Sequence, residues 1–377
     1  MTKNFIIAGG GIGGLAAAVS LHRAGFGVRV FERAPAFTEV GAGMSLWPNA
    51  TRILESLGVL GSVIALGDPV TQFNLLRPDG RFISGIPMGG FPTPALCIHR
   101  ADLHRALREA LPAHCLEANQ RVLSFSQGRT DITVNVATGP ARQADGLIGA
   151  DGIHSAIRSQ LHGPGTPTYR GYSIWRGVAP AVAAGAPGHI SETWGEGRRF
   201  GILPIGQGRV CWYATRNAAP AQRDASCGRK AEILSLFEDW HHPIPELIAA
   251  TDPADIIRND ARDRPPLRRW GDGHVTLLGD AAHPITPNVG QGACMAIEDA
   301  ACLAKSLLRF NRVDAAFRDY EARRRSRTAR VARQSRLIGA IGQWEHPWVV
   351  KGRNLVTRLV LAHSPDMRLN AIYAYEV

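Results

Sequence analysis

The beginning of the chain carries the strongest constraint on its fold, a glycine-rich turn that follows a short apolar run. Residues 5–8 are apolar, and Gly9, Gly11 and Gly14 follow with the spacing G-x-G-x-x-G; a second apolar segment ends at Glu32. Glycines between a strand and a helix let backbone amides approach a pyrophosphate at the helix N-terminus, where the helix dipole favours an anion. A carboxylate after the next strand suits ribose hydroxyls. This order predicts a βαβ unit that binds a dinucleotide.

The glycine spacing alone does not distinguish NAD from FAD, and a glycine turn with a purely structural role has the same local pattern. No second G-x-G-x-x-G occurs in the 377 residues. The chain therefore offers one fold of this type to one dinucleotide.

The composition is typical of a globular protein with a large core and two domains. Hydrophobic residues make up 45% of the chain, and the mean hydropathy is −0.08. The sequence contains no apolar run of about 18 residues, and the segment before the first strand is too short for a secretion signal. The six cysteines are scattered without a C-x-x-C pair, as is typical of reduced thiols. We expect a cytoplasmic protein without a transmembrane segment.

The net charge of +11 has one local source near the C-terminus. Residues 318–336 contain eight arginines against Asp319 and Glu321, within one predicted helix. We interpret these arginines as the solvated face of a long helix, with an anionic partner or a membrane surface as the alternative. No aromatic interleaving or nucleic-acid motif accompanies the charge, so no nucleic-acid partner is expected.

Two further motifs follow the glycine turn in order along the chain. The first, at 149–158, reads Gly-Ala-Asp-Gly-Ile-His-Ser-x-x-Arg, and the second extends from the Gly-Asp pair at 279–280 to an acidic pair ending at Asp299. Together with the turn and the pair Glu32-Arg33, they resemble the fingerprint of the single-component (group A) flavoprotein aromatic hydroxylases. The resemblance covers essentially the whole chain.

This resemblance implies an FAD-dependent monooxygenase that acts on a small aromatic or heteroaromatic substrate. In the family, FAD is bound permanently, NADH or NADPH reduces it, and O2 then adds to form a flavin C4a-hydroperoxide that hydroxylates or epoxidises the substrate. Because the cofactor supplies the oxidant, no catalytic side chain is assigned. No metal-ligand cluster stands out in the sequence, so no metal is expected.

The resemblance also assigns the cofactor contacts by position. Asp280 is expected to bond the ribityl or pyrophosphate region, Arg100 to contact FAD, and Asp151 to lie beside the pyrophosphate. A helix N-terminus that follows Pro287 is expected to face the flavin pyrimidine edge, where it stabilises negative charge on the reduced ring. The predicted FAD-binding residues are Gly9, Gly11, Gly14, Glu32, Arg33, Gly43, Arg100, Asp151, Gly152, Asp280, Pro287, Gly290, Gln291 and Gly292.

Three other segments, at 41–49, 171–177 and 195–199, are similar to the branch that contains bacterial FAD-dependent urate hydroxylase and zeaxanthin epoxidase-like proteins. In urate hydroxylase an arginine at the place of Arg199 contacts the substrate, and a strand tyrosine assists it. Cys211 stands where that tyrosine is expected, which argues against urate as the substrate of this chain.

The predicted substrate pocket lies on one face of a strand near residue 211. A period of two places Arg209, Cys211, Tyr213 and Thr215 on one face, and we favour this face as the cavity wall. With residues from two other segments, the predicted pocket consists of Arg199, Cys211, Tyr213 and Pro287.

Several of these residues also have ordinary structural interpretations, which the sequence leaves open. Trp212 and Tyr213 fit the core of a sheet sandwich. Arg199 fits a surface position as well as a site that pairs with an acidic or phenolate substrate. His283, beside the flavin motif, fits either a proton relay or a hydrogen-bonded structural group.

The predicted fold class is α/β, with a Rossmann-like FAD-binding domain, an inserted and mainly antiparallel β-sheet substrate domain, and a helical C-terminus. The FAD-binding domain is expected in three parts, and a β-hairpin segment is expected to join the substrate domain. The boundaries are 1–70, 101–168 and 266–310 for the FAD-binding parts, 71–100 for the hairpin segment, 169–265 for the substrate domain, and 311–377 for the helical region.

Four other functions compete with hydroxylation. An FAD-dependent epoxidase that acts on an alkene or terpenoid shares the same motifs, and a non-catalytic FAD-binding protein keeps them as well. A flavin halogenase adds a W-x-W-x-I-P signature that this sequence lacks. An NAD-dependent dehydrogenase does not need the segment at 279–280.

Overall fold

The computed structural model describes residues 2–38, 41–181, 188–363 and 372–377. The strands are β1 (Asn4–Ala8), β2 (Gly27–Phe31), β3 (Gly43–Leu46), β4 (Asp68–Val70), β5 (Gln72–Leu76), β6 (Phe82–Pro87), β7 (Ala95–His99), β8 (Leu116–Glu117), β9 (Val122–Gln127), β10 (Ile132–Val136), β11 (Arg142–Ala144), β12 (Gly146–Gly149), β13 (Thr168–Pro180), β14 (His189–Trp194), β15 (Arg198–Pro204), β16 (Arg209–Asn217), β17 (Ile257–Asp263) and β18 (Val275–Leu277). The helices are α1 (Ile12–Arg23), α2 (Pro48–Ser56), α3 (Leu60–Leu66), α4 (Arg100–Glu109), α5 (Ala156–His162), α6 (Arg229–Phe237), α7 (Ile244–Ala250), α8 (Gly292–Arg309), α9 (Val313–Gly342) and α10 (Pro347–His363).

A five-stranded parallel sheet accounts for the apolar N-terminal run. Its order is β18-β12-β1-β2-β8, so β1 lies in the centre with a neighbour on each side. Phe5, Ile6 and Ile7 are buried, as expected for a strand that is covered on both faces. α1 follows β1 and packs against α8 from the C-terminal region. The predicted βαβ unit is therefore present, and distant segments complete its sheet.

A seven-stranded sheet forms the second layer, in the order β17-β13-β16-β15-β14-β5-β6. Its pairs are antiparallel except for β14 with β5. Trp175, Phe200 and Trp212 belong to one hydrophobic cluster with Phe237 of α6 and Ile248 of α7. The chain enters this sheet twice, at β5–β6 and at β13–β17, and returns to the first sheet at β8 and again at β18. The predicted α/β fold with an inserted, mainly antiparallel sheet is therefore confirmed.

Two small sheets complete the architecture. One has the order β3-β7-β4, and the other has the order β11-β10-β9. From the sequence, strands near 121–126, 131–137 and 145–150 are expected to return the chain to the first sheet. Only the last of them, β12, does so, and the prediction is wrong for the other two. β9 and β10 are joined by a short turn and therefore pair antiparallel with each other, whereas the first sheet is parallel.

The C-terminal helices correct the interpretation of the arginine-rich segment. Arg324 and Arg327 of α9 are buried, and both pair with Glu298 of α8 at 2.6 Å. Arg324 also pairs with Asp299 at 2.7 Å. The arginines of α9 are therefore not one solvated face, because part of the charge is neutralised inside the protein by the acidic pair of α8. Within the described residues, no helix has the length and hydropathy that a membrane span requires.

Candidate active site

A cavity of about 890 Å³ extends from the glycine turn after β1 to the seven-stranded sheet. Its wall contains every predicted FAD-binding and pocket residue except Gly14 and Gln291. Segments that are far apart in the sequence therefore meet around one space.

The turn after β1 leaves backbone amides available at the end of the cavity. Gly11 precedes α1, and no side chain caps the helix N-terminus. A Cβ at Gly9 would lie 2.5 Å from the carbonyl oxygen of Ala150, and one at Gly14 would lie 1.9 Å from the carbonyl oxygen of Gly9. Gly14 thus permits the tight turn without lining the cavity. The uncapped N-terminus suits a phosphate group.

Glu32 lies beside this turn and orders it. Its carboxylate accepts hydrogen bonds from the backbone N–H groups of Gly10 at 2.7 Å and Ala34 at 2.8 Å. Glu32 and Arg33 both line the cavity. A carboxylate oxygen has further lone pairs, so Glu32 is able to accept a ribose hydroxyl while it keeps these bonds.

The two carboxylate oxygens of Asp151 differ, because one has hydrogen-bond partners in the protein and the other has none among the described residues. One carboxylate oxygen accepts from the backbone N–H groups of Ala156 at 2.7 Å and Ile157 at 3.3 Å, at the start of α5. The other oxygen, Oδ1, is buried and has no partner within the described chain. Burial raises the pKa of Asp151, and these hydrogen bonds oppose the rise. Because Asp151 lines the cavity, Oδ1 is an acceptor available to a bound molecule.

Asp280 and Arg100 bring opposite charges to the cavity wall. Burial raises the pKa of Asp280, and the nearby charges of His283 and Arg100 oppose this effect. Arg100 packs closely on the backbone at Gly41, where an added Cβ would lie 3.0 Å from its Cδ. The glycine lets the arginine chain lie flat along the loop.

The start of α8 provides a second uncapped helix N-terminus. Pro287, Gly290 and Gly292 line the cavity, and no side chain caps α8. Gln291 does not line it, because its side chain is fully buried and accepts a hydrogen bond from Asn49 Nδ2 at 2.9 Å. Gln291 therefore links α8 to α2 rather than facing the cavity.

The predicted face of β16 lines the other end of the cavity. Cys211, Tyr213 and Thr215 lie in the wall, whereas Trp212 belongs to the core on the opposite side. Burial raises the pKa of Cys211 to about 11 and that of Tyr213 well above its ordinary value. Both side chains are therefore neutral. Arg209, which was assigned to the same face, pairs instead with Asp102 at 2.5 Å.

Arg199 lines the cavity, but protein groups hold its guanidinium. It is only 2% exposed, so the surface interpretation is wrong. Its nitrogens donate to Gln343 at 2.8 Å, Asn288 at 2.7 Å and Glu192 at 3.2 Å. After burial, the negative charge of Glu192 is the next cause that raises the pKa of Tyr213. Arg199 therefore braces the wall and has its charge balanced by Glu192.

Arg176 is a cavity residue that the sequence interpretation missed. Its side chain forms no hydrogen bond or ion pair with any residue of the described ranges, and it lines the wall beside Cys211 and Tyr213. Burial lowers its pKa, and the neighbouring Cys211, Tyr172 and Tyr213 oppose this shift. A guanidinium remains protonated under these conditions. The alternation in β13 was the available signal, because Trp175 packs in the core and its neighbour must face the other way.

Of the two interpretations of His283, a proton relay and a hydrogen-bonded structural group, the structure supports the second. Its Nε2 lies 2.5 Å from Asp299 Oδ2, and its ring packs 5.1 Å from that of Trp270. Burial alone raises the pKa of Asp299, but His283 and Arg324 outweigh that effect and hold the pKa at about 2. His283 is buried and does not line the cavity, so it is not placed to relay protons there.

The residues in the wall fit an extended flavin dinucleotide. The uncapped N-terminus of α1, the Glu32 carboxylate for the ribose and the free Oδ1 of Asp151 lie together at the glycine turn, and the uncapped N-terminus of α8 lines the same cavity as the face of the seven-stranded sheet. The fold and this cavity define a flavoprotein of the oxidoreductase class. The chain belongs to the FAD binding domain family, whose model matches residues 2–335.

Curated relatives and solved structures agree with this assignment. Aurachin C monooxygenase/isomerase of Stigmatella aurantiaca is 41% identical over 367 residues, which is 96% of each chain. The 6-hydroxynicotinate 3-monooxygenase of Bordetella bronchiseptica is 34% identical over 344 residues, 87% of this chain and 89% of the relative. Klebsiella pneumoniae HpxO complexed with FAD and uric acid superposes with a TM-score of 0.88 at 27% identity, covering 97% of this chain and 96% of that one.

These matches confirm the resemblance stated from the sequence motifs. FAD-dependent urate hydroxylase and zeaxanthin epoxidase are both among the relatives. The chain is therefore an FAD-dependent monooxygenase with FAD as its cofactor.

Proposed function

We propose that this enzyme hydroxylates a small aromatic or heteroaromatic ring that carries an acidic or carbonyl oxygen. The overall reaction converts a ring C–H, O2, NAD(P)H and H⁺ into a ring C–OH, NAD(P)⁺ and water. Bound FAD supplies the redox chemistry, because it accepts the hydride and activates O2. The substrates named for two similar proteins, 6-hydroxynicotinate and uric acid, are nitrogen-containing rings with such oxygens.

The observation that supports the proposal is the continuity of the cavity from the glycine turn to the face of β16. The far end is lined by Ile174, Leu203 and Ile257, which exclude water from a flat apolar ring. Arg176 and Tyr213 provide N–H and O–H donors at the same end. We infer that these two side chains bind the oxygen of the substrate and so orient the ring.

NADH or NADPH is proposed as a transient reductant. The sequence contains a single G-x-G-x-x-G motif, and the cavity that it borders is the one proposed for FAD. NADH or NADPH would therefore donate its hydride without a second dinucleotide fold of this type in the chain.

Oxygen uptake with a panel of phenols, hydroxypyridines, purines and quinolones tests the function. The expected result is NAD(P)H oxidation that one ring class stimulates, with a hydroxylated product in equal amount. A product that is an epoxide of an alkene would favour the alternative reaction. Hydrogen peroxide in place of any oxygenated product, across the whole panel, would contradict the proposal.

We also propose the domain division and a location. Residues 1–70, 101–168 and 266–310 are assigned to the FAD-binding domain, 71–100 and 169–265 to the substrate domain, and 311–377 to a helical region. The two main sheets draw their strands from these respective parts, which supports the division. All six cysteines are free, which supports a reducing, cytoplasmic environment.

A further inference from the structure

Helix α10 presents an apolar face to solvent. Trp348 is 74% exposed, and five further apolar side chains of the helix are exposed with it. We call this set the C-terminal apolar face, and its members are Trp348, Val349, Leu355, Val356, Leu359 and Val360. Elsewhere in the described chain, residues such as Leu123 and Leu308 are exposed singly, which is ordinary for a protein surface. A contiguous apolar face on one helix marks an interaction site.

The opposite side of α10 fixes the orientation of the helix. Arg353 is buried, donates to the carbonyl oxygen of Gly195 at 3.2 Å, and lies 5.1 Å from the ring of Trp194. Val350 and Asn354 are buried beside it. Since these contacts hold one side against the protein, the C-terminal apolar face lies on the side of the helix that is exposed.

The charges around this face are positive. Residues 347–363 contain no Asp or Glu, and Lys351 and Arg358 are both exposed on α10. Lys351 lies 4.5 Å from the ring of Trp348. An amphipathic helix with tryptophan and leucine on one side and cations beside them is typical of binding in the interface of a bilayer.

We propose that α10 binds the surface of a membrane that contains anionic phospholipid, with the C-terminal apolar face inserted at the level of the headgroups. The cations then lie over lipid phosphates, and each contributes to the attraction. A second copy fits this face less well, because a symmetric contact sets the same patch against itself and brings Lys351 and Arg358 of both copies together. The surface lies outside the proposed active site, and the inference does not depend on the proposed reaction.

Sedimentation of the FAD-loaded full chain with vesicles tests this inference. Vesicles of phosphatidylcholine are compared with vesicles of phosphatidylcholine mixed with phosphatidylglycerol. We expect binding to the mixed vesicles that falls as salt is added. The pair Lys351→Glu and Arg358→Glu is expected to weaken binding by more than about tenfold. The pair Leu355→Asp and Leu359→Asp is expected to abolish it.

Leu308→Asp is the matched control, since Leu308 is 63% exposed and lies outside α10. The flavin spectrum and thermal unfolding of each variant establish that it is folded. No sedimentation with either vesicle, equal sedimentation with both, or unchanged sedimentation of both paired variants would each overturn the inference. A dimer in sedimentation equilibrium that the paired leucine variant dissociates would also overturn it, in favour of a second copy.

Discussion

Arg176 of β13 lies directly opposite Tyr213 of β16 in the antiparallel register, and both side chains line the same end of the cavity. Directly opposed residues on one face of a sheet have neighbouring side chains. The wall therefore presents a guanidinium that has no acidic partner among the described residues, beside a neutral phenol. The proposal of a substrate with an acidic or carbonyl oxygen depends on this pair of side chains.

Arg176→Met is expected to lower kcat/KM about tenfold or more for a substrate with an acidic oxygen, because a hydrogen bond to a charged group is worth about 1.5–3 kcal/mol. Arg176→Lys, which keeps the charge, should lose less. FAD content and steady-state kinetics with an acidic substrate and its neutral analogue provide the measurement. An equal loss with both substrates would show that Arg176 does not recognise the oxygen.

Gly201→Ala is expected to displace the ring of Tyr213. The two residues are paired across β15 and β16, and a Cβ at Gly201 would lie 2.1 Å from Tyr213 Cε1. We expect a lower kcat/KM with unchanged FAD affinity, and little further loss when Tyr213→Phe is added to the variant, since both changes act on one group. Gly89→Ala is the control, because nothing lies within 4 Å of a Cβ there. Fully additive losses would contradict this coupling.

Much of the fold follows from local pattern. Three local patterns each predict one element: the apolar run of β1, the glycine turn and the alternation of β16. The structure contains all three. The pairing of β9 with β10 and the burial of Arg324 depend on contacts between segments, and the sequence does not encode these contacts locally. In the sequence, nothing distinguishes Arg324 from the exposed arginines beside it. In the structure, Arg324 pairs with Asp299 of another helix at 2.7 Å.

The same reason explains why the sequence analysis assigned Arg199 to the pocket and missed Arg176. Arg199 and Arg176 both lie on strands of the seven-stranded sheet, and both line the cavity. Only the packed structure reveals that Glu192 balances Arg199, whereas Arg176 has no such partner in the described chain. Alternation in a strand predicts the face of the sheet on which a side chain lies. It does not predict which residue pairs with its charge, because that residue comes from another segment.

Asp151→Ala is expected to raise the Kd for FAD about tenfold, because it removes both the unsatisfied Oδ1 and the oxygen that accepts from the first two N–H groups of α5, whose N-cap is Ser155. Asp252→Ala is a matched control, since Asp252 also caps a short helical turn by accepting from the N–H of Ala254 at 2.8 Å. Fluorescence titration of the apoprotein with FAD measures the affinity. If both variants bind FAD alike, the contribution of Asp151 is that of an ordinary cap.

The buried charges of α8 and α9 are expected to make stability depend on pH in the acid range. The pKa of Asp299 is about 2 in the folded protein, below its ordinary value of 3.8. A lowered pKa means that the stabilisation is fully present above the unfolded pKa and is lost as pH falls from about 4 to about 2. This difference between the two pKa values corresponds to a contribution on the order of 2 kcal/mol to the free energy of unfolding.

Asp299→Asn should therefore unfold at a lower temperature than the parent near neutral pH, and the gap between them should narrow below about pH 4. Asp314→Asn is the control, because Asp314 forms an exposed pair with Arg312 that contributes little. Arg324→Met is expected to be more damaging than Asp299→Asn, about 3–5 kcal/mol, because it leaves Glu298 and Asp299 charged and buried without their shared partner. Thermal unfolding followed by circular dichroism at several pH values gives the comparison. A constant gap between Asp299→Asn and the parent from neutral to acid pH would show that the pKa of Asp299 is the same in the folded and unfolded chains.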